Sequence, residues 1–300
     1  MITFIDDYRD LWGVEPICAQ LPIAPSTYYA ARKREPSARS LSDAEMKDKI
    51  LKVYKENYEV YGAHKVWKEL GRKGTIVGRD QVARLMRELG IKGAVRGKVK
   101  RTTIPGQADR RPDDLVNREF RAPAPNRLWL ADLTYVWTVT GFCYVAFITD
   151  AFSRAIVGWR VSRSLSADLA LDALEMGICS RQGKDLNGLI HHSDRGVQYL
   201  AIRYTERLEQ EGAVTSVGSK GDSFDNAVAE TINGLYKTEL IRRQGPWRNP
   251  DEVELATLGW VHWWNQTRLH GACGDIPPAE FEANYYRQLE EASKESVPTL

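Results

Sequence analysis

At 300 residues, 43% of them apolar, the chain is long enough to bury a sizeable core in one large or two to three modest domains. No apolar run approaches the roughly 20 residues a membrane helix needs, and Met1-Ile2-Thr3-Phe4-Ile5-Asp6-Asp7 lacks the basic and apolar regions of a secretory signal, so a cytoplasmic protein with no membrane partner is expected. Cys18, Cys143, Cys179 and Cys273 fall at no zinc-ligand or C-x-x-C spacing and read as reduced, mostly buried thiols.

The net charge of +2 conceals a division of labour. Residues 1–111 carry 23 Lys and Arg against 14 Asp and Glu, whereas residues 112–300 carry 19 against 26. Between His64 and Arg101, 12 basic residues meet only Glu69, Asp80 and Glu88, a density that suits phosphate contact as well as a solvated surface.

In chain order, residues 1–40 read as a helical lead-in from Ile5 to Gln20, then Pro22, Pro25 and Ser26-Thr27-Tyr28-Tyr29, then a basic stretch ending near Pro36. Residues 41–100 hold three helical segments, 43–57, 62–72 and 79–89. In the third, Val82, Leu85, Met86 and Leu89 recur at i, i+3, i+4 and i+7, and a glycine-bearing turn, residues 73–78, precedes it. This outline predicts a helix-turn-helix module. With the apolar stripe packed inward, Arg79, Gln81, Arg84 and Arg87 are left to face a DNA groove or phosphates. Residues 101–126, with Arg101, Arg110, Arg111 and prolines at Pro105, Pro112, Pro123 and Pro125, read as a basic linker.

Residues 127–245 begin with three runs rich in Val, Ile, Tyr, Phe and Trp, 128–138, 141–149 and 155–161, separated by short turns as in an antiparallel meander. Alternating helix and strand follow: helix 166–182, strand 189–193, helix 199–211, strand 213–217 and a long helix 225–243. The order predicts an α/β, RNase H-like core with a mixed five-stranded sheet, behind an all-α helix-turn-helix module, and it differs from a doubly wound dinucleotide fold. Residues 246–300 form a helical tail, with helices over 250–267 and 278–291.

Three acids stand out within this core. Asp132 interrupts a run, Trp129 to Val136, that is otherwise apolar on both strand faces, and a carboxylate there is costly unless paired or metal-bound. Asp194 ends a strand in His191-His192-Ser193-Asp194-Arg195-Gly196, where it is either a turn residue or an acid aimed into a cleft. Glu230 lies on a helix; at about 100° per residue, Asn226, Asn233 and Lys237 fall within about 60° of it, and Val228, Ile232 and Leu235 about 140–200° away. Phosphoryl transfer on DNA uses two divalent ions about 4 Å apart, and such hard cations take carboxylates from separate elements.

Thirty-five residues separate Asp194 from Glu230, and Lys237 follows Glu230 by seven. In this the sequence resembles the D,D(35)E transposases and retroviral-type integrases. Phe4-Ile5-Asp6, Pro25-Ser26-Thr27-Tyr28-Tyr29, Tyr61-Gly62-Ala63-His64-Lys65-Val66-Trp67, His192 to Gly196, Asp225 to Thr231, Trp264 to His270 and Ile276 to Phe281 are similar to the second-frame product of bacterial insertion-sequence family three. The resemblance implies that Asp132, Asp194 and Glu230 are catalytic and bind Mg²⁺, with Mn²⁺ able to substitute. It implies cutting at an element end, attack of the freed 3′-OH on the other end, and a bridged molecule that becomes a circle. The implied partners are DNA, as terminal inverted repeats and as target, further copies of the chain on that DNA, and an upstream-frame protein or fusion. The implied setting is the bacterial nucleoid. In that family the active enzyme is usually a fusion to an upstream helix-turn-helix and leucine-zipper segment, so a chain beginning at Met1 with no sustained heptad zipper is expected to lack part of end recognition.

Around these acids, Lys237 reads as a phosphate contact or a surface lysine, and Asn226 as a cap or a phosphate contact. Arg268, with Asn265 and His270, belongs to the tail motif and is expected to line DNA. His192 reads as a structural strand end, Asp150 as an acid near the meander, and Trp260, Trp263 and Trp264 as helix packing ahead of base stacking. The competing readings are a non-catalytic DNA-binding or regulatory subunit of the element, and an RNase H-type nuclease acting on hybrids.

Overall fold

Gly13, at φ 76°, divides the amino-terminal helical run into α1 (Ile2–Trp12) and α2 (Val14–Gln20), and Pro25 opens α3 (Pro25–Lys33). The segment expected as one helix from Ile5 to Gln20 is therefore two, and Pro25 stands where proline is suited, at the first helical position, where its missing N–H costs nothing. The computed structural model describes residues 1–95, 122–193, 199, 201–217 and 227–295, and forms two compact units, Met1–Ile50 and Leu51–Leu300. In the first, Ile5, Ile17, Cys18 and Tyr28 make a small core with Ile2, Tyr8, Val14, Leu21 and Ile23 against it.

Helices α4 (Ala38–Glu56), α5 (Ala63–Arg72) and α6 (Arg79–Glu88) follow. In the second unit Val66 and Leu70 of α5 and Val82, Leu85 and Met86 of α6 are buried, the inward stripe expected of the helix-turn-helix. The expected linker falls mostly outside the described residues.

The sheet is built on β1 (Leu128–Thr138), which β2 (Gly141–Asp150) and β3 (Ile156–Ser162) extend as an antiparallel meander. After α7 (Ala167–Ser180), β4 (Ile190–Ser193) lies parallel to β1, and after α8 (Ile202–Gln210), β5 (Val214–Val217) lies parallel to β4. The strand order β3-β2-β1-β4-β5 is the RNase H-like arrangement. Helix α9 (Ala227–Tyr236) continues through a π-helical turn, Lys237–Ile241, into the single turn α10 (Arg242–Gln244). The tail consists of α11 (Pro250–Gln266) and α12 (Pro278–Glu295).

Alternation along β1 assigns its two faces. Trp129 and Ala131 pack with Leu169, Ala173 and Leu174 of α7 and Tyr204 and Leu208 of α8, while Leu128 and Leu130 pack with Ala229 of α9. On the first face α7 approaches β3 very closely: a Cβ on Gly158 would lie 2.0 Å from the Ala173 carbonyl oxygen. The second face is covered by an aromatic group, with Phe147 5.0 Å from Tyr236, Tyr236 5.1 Å from Trp260 and Trp260 4.9 Å from Trp264 between ring centroids.

The helical module of residues 51–95 is fastened to the tail. Trp263 Nε1 donates to Asn57 Oδ1 at 3.0 Å, and the Leu269 N–H donates to the Tyr61 hydroxyl at 2.7 Å. At the surface Arg72 grips Glu280 through two hydrogen bonds, and His64 Nε2 lies 3.0 Å from Asp275 Oδ2.

Candidate active site

Asp132 continues the series Leu128, Leu130 on β1 and so faces α9, past the last β1 residue paired to β4. It is half-buried, and its two oxygens are both engaged. Oδ1 accepts from the Leu133 N–H at 2.9 Å, and Oδ2 accepts from Asn233 Nδ2 at 2.8 Å. An ionised carboxylate only accepts, so the amide nitrogen of Asn233 must be the atom that meets it.

The helix that carries Asn233 also carries Glu230. Ala229, Ile232, Asn233 and Tyr236 are buried, a stripe at i, i+3, i+4 and i+7 that lies on the sheet. Asn233, which the helical spacing places within about 60° of Glu230, is therefore on the packed side, 8% exposed. Glu230 stands about 60° further round the helix, exposed at the border of that stripe. Lys237, two turns on, lies on the same border, with Nζ 4.4 Å from the centre of the Tyr135 ring. Burial lowers its pKa from the usual lysine value, and the charge of Asp132 is among the groups that partly oppose this. Asp132 is thus near enough for its charge to be felt at Lys237.

Asp194 and Asn226 lie outside the described residues. Strand β4 is described up to Ser193, which pairs with Ala131, the residue before Asp132. Among the described residues no group of three His, Cys, Asp or Glu side chains is gathered to hold a metal. The described part of the site is Asp132 and Asn233, with Glu230 and Lys237 at its edge.

Other titratable groups near the strand ends serve the fold. His191 shares a 2.9 Å hydrogen bond with the Tyr204 hydroxyl, and burial takes its pKa down to about 3, which leaves it neutral. His192 Nδ1 lies 2.9 Å from Ser216 Oγ on the neighbouring strand, in keeping with a structural strand end. Asp150 is fully buried and turned toward the β2–β3 turn: Oδ1 accepts from the Phe152 and Ser153 N–H groups and Oδ2 from the Asn126 N–H. Its pKa is raised by burial, against the opposing effect of these hydrogen bonds.

The expected DNA contacts divide into two groups. On α6, Arg79 and Arg87 are exposed and Gln81 and Arg84 half-buried, with Arg84 Nη1 2.6 Å from Glu88 Oε1. Arg268 is not a DNA-lining residue as it stands. It is 4% exposed, pairs with Glu239 through bonds of 2.6 and 2.9 Å, and lies 4.5 Å over the Trp264 ring. The π-helical turn contains Glu239, so the tail is tied to the end of the helix that bears Glu230. His270 is likewise buried, and the three tryptophans are packing residues. Asn265 gives β3 a substitute strand partner, accepting from the Ile156 N–H and donating to its carbonyl.

Sequence reasoning placed Asn233 near Glu230 on the helix and passed over it as a partner of Asp132. A usable signal was present: it sits one turn after Glu230, and a buried amide needs a polar partner.

Residues 122–223 and 211–278 match models of the integrase core domain, and residues 40–99 match an HTH-like domain. The chain is 56% identical over 271 residues to a Mycobacterium tuberculosis protein named for insertion element IS986/IS6110, covering 89% of this chain and 98% of that one. It is 49% identical over 294 residues to the transposase for insertion sequence element IS629 of Shigella sonnei, covering 96% and 98%. Among solved structures, the HTLV-2 integrase catalytic core domain in complex with magnesium covers 54% of this chain and 99% of its own at 18% identity and TM-score 0.43. The catalytic core domain of BIV integrase covers 55% and 99% at 21% identity and TM-score 0.42.

Proposed function

Because the chain belongs to the transposases of bacterial insertion-sequence family three, we propose that it is the subunit that cuts and joins DNA at the element ends, using divalent cations held by Asp132, Asp194 and Glu230. The observation that carries this reading is the bond between Asn233 and Asp132, which ties the helix of Glu230 to the strand of Asp132. The residues suit a hard cation: carboxylate oxygens would supply the ligands, and the buried Oδ1 of Asn233, whose Nδ2 meets Asp132, has no hydrogen-bond partner among the described residues. A cation-bound water is the kind of donor that atom lacks.

Bound Mg²⁺ or Mn²⁺ would make a water or a 3′-OH a competent nucleophile and stabilise the leaving oxygen of the phosphodiester. The chain's own contribution is placement. Asp132 is held in one rotamer by the Leu133 N–H and Asn233, Lys237 presents a cation at the border of the site, and Arg79 and Arg87 on α6 offer charge for duplex phosphates. The protein acts on terminal repeats and target DNA in the cell interior, as several copies, together with or fused to an upstream-frame segment.

The test is cleavage and joining of a duplex carrying the terminal inverted repeat in Mg²⁺, with and without the upstream segment. Asp132→Asn, Asp194→Asn and Glu230→Gln are each expected to abolish both steps while band shifts of the same duplex persist. Joining by the Asp194→Asn protein would overturn the assignment, and end binding without cleavage under any condition would favour a regulatory subunit.

A further inference from the structure

Residues 1–33 form a small three-helix unit that none of the matched domains includes. Its layout is specific. Helix α2 buries Ile17 and Cys18, four residues turn the chain with Leu21 and Ile23 directed to the core, and α3 buries Tyr28. The Tyr28 hydroxyl donates to Asp6 Oδ1 at 2.8 Å, which fixes α3 on α1. Two helices joined by a short turn and braced by a preceding helix are the parts of a helix-turn-helix, whose second helix enters the major groove with its amino-terminal residues on the bases.

The exposed surface of α3 suits that task. Ser26, Thr27 and Tyr29 are exposed in its first half, and Arg32 and Lys33 in its second, with Arg34 immediately beyond. Hydroxyls donate and accept, so they can address base edges, while the cations address phosphate. The acids of the first two helices, Asp6, Asp7, Asp10 and Glu15, lie off α3, which carries none. Charge in this unit is therefore polarised toward α3, although Asp6 also lies 3.5 Å from Arg32.

We infer that residues 1–34 are a second DNA-reading helix-turn-helix, with α3 as the helix that enters the major groove, in addition to the module of residues 51–95. The inference rests on the reading of the chain as a protein that works on DNA ends. A spacer would need Tyr28 and the core but not the polar first half of α3.

Fluorescence anisotropy of the full chain tests it, with a labelled duplex carrying the terminal repeat and an unrelated duplex of equal length. The variant Ser26→Ala, Thr27→Ala, Tyr29→Ala is expected to lose roughly tenfold or more of the preference for the repeat. The variant Lys33→Ala, Arg34→Ala is expected to weaken both duplexes alike and to lower the slope of log affinity against log salt by about 2. Both sets are exposed, so thermal midpoints should match the parent. Hydroxyl-radical footprints should lose one protected segment with the α3 variants and a different one with Arg79→Ala, Arg87→Ala. Parental preference and footprint in both α3 variants, with the α6 variant impaired, would overturn the inference and leave the proposed function standing. A parent chain that binds neither duplex would overturn both.

Discussion

Asn233 Nδ2 donates to Asp132 Oδ2 across 2.8 Å, joining helix α9 to the central strand at the point where the apolar series Leu128, Leu130 gives way to Asp132. The bond does two things. It holds one carboxylate oxygen in place, and it sets the rotation of the helix on which Glu230 lies one turn earlier. Groups that orient a metal ligand without touching the metal typically change affinity by 10–100-fold when removed. Asn233→Ala is therefore expected to weaken Mn²⁺ binding, followed by electron paramagnetic resonance of free Mn²⁺, by about tenfold or more, with little change in band shifts of end DNA. Unchanged Mn²⁺ affinity in a folded variant would show that the bond is merely structural.

Arg268 and Glu239 are a buried ion pair, 5% exposed on each side. Removing one member of such a pair leaves an unpaired charge and costs about 3–5 kcal/mol, whereas replacing both by apolar side chains costs far less. Arg268→Ala should lower stability to denaturant by that amount, and Arg268→Met with Glu239→Leu should recover most of it. Reduced DNA affinity at parental stability would instead restore Arg268 to the nucleic-acid interface.

The contrast between these two residues shows what a sequence displays of such a site. The meander and the alternating helices were legible because β-branched and aromatic runs between short turns leave few other ways to bury them. The three acids stand out in the sequence because Asp132 breaks an apolar run and because 35 residues lie between Asp194 and Glu230, and the structure describes two of them, Asp132 and Glu230. The fate of Arg268 was not, since its partner lies 29 residues away on a helix that a π-helical turn rotates, and a charged letter looks the same paired or free. Helix α3 was hidden by two nearby prolines, one of which marks its start.

Lys65 makes stability depend on pH. Burial between the helical module and the tail lowers its pKa to about 8, with Arg268 adding to the effect and Glu239 and Asp275 opposing it. Its ammonium lies 5.3 Å from the centre of the Tyr61 ring. Between pH 8 and the ordinary lysine value the unfolded chain keeps a proton that the folded chain has released, so this group makes stability rise with pH there. Below pH 8 the folded state bears the full cost of a buried ammonium. Lys65→Met should accordingly be more stable than the parent at pH 7, by on the order of 1–3 kcal/mol, and the gap should narrow toward pH 10. Tyr61, whose pKa burial raises, remains neutral across that window in both proteins. Urea denaturation at pH 7, 8.5 and 10 measures the gap; one that stays constant with pH removes Lys65 as its cause.

Gly158 and Gly177 sit on opposite sides of the same contact between β3 and α7, and the two should respond differently to a methyl group. A Cβ on Gly158 meets backbone, the Ala173 carbonyl oxygen at 2.0 Å and the Gly177 nitrogen at 2.8 Å, so strand and helix would have to separate. A Cβ on Gly177 meets the edge of the Trp129 ring at 3.2 Å, and a side chain can yield by a few tenths of an ångström. Overpacking of a filled core costs typically 1–3 kcal/mol. Gly158→Ala is expected at or above the top of that range, about 3 kcal/mol, and Gly177→Ala near the bottom, about 1 kcal/mol, by equilibrium denaturation. The contact lies on the face of the sheet away from α9. Gly158→Ala protein kept well below its melting temperature should therefore retain the parent's Mn²⁺ affinity, and a loss of metal binding in parallel with stability would mean that the two faces of the sheet are coupled.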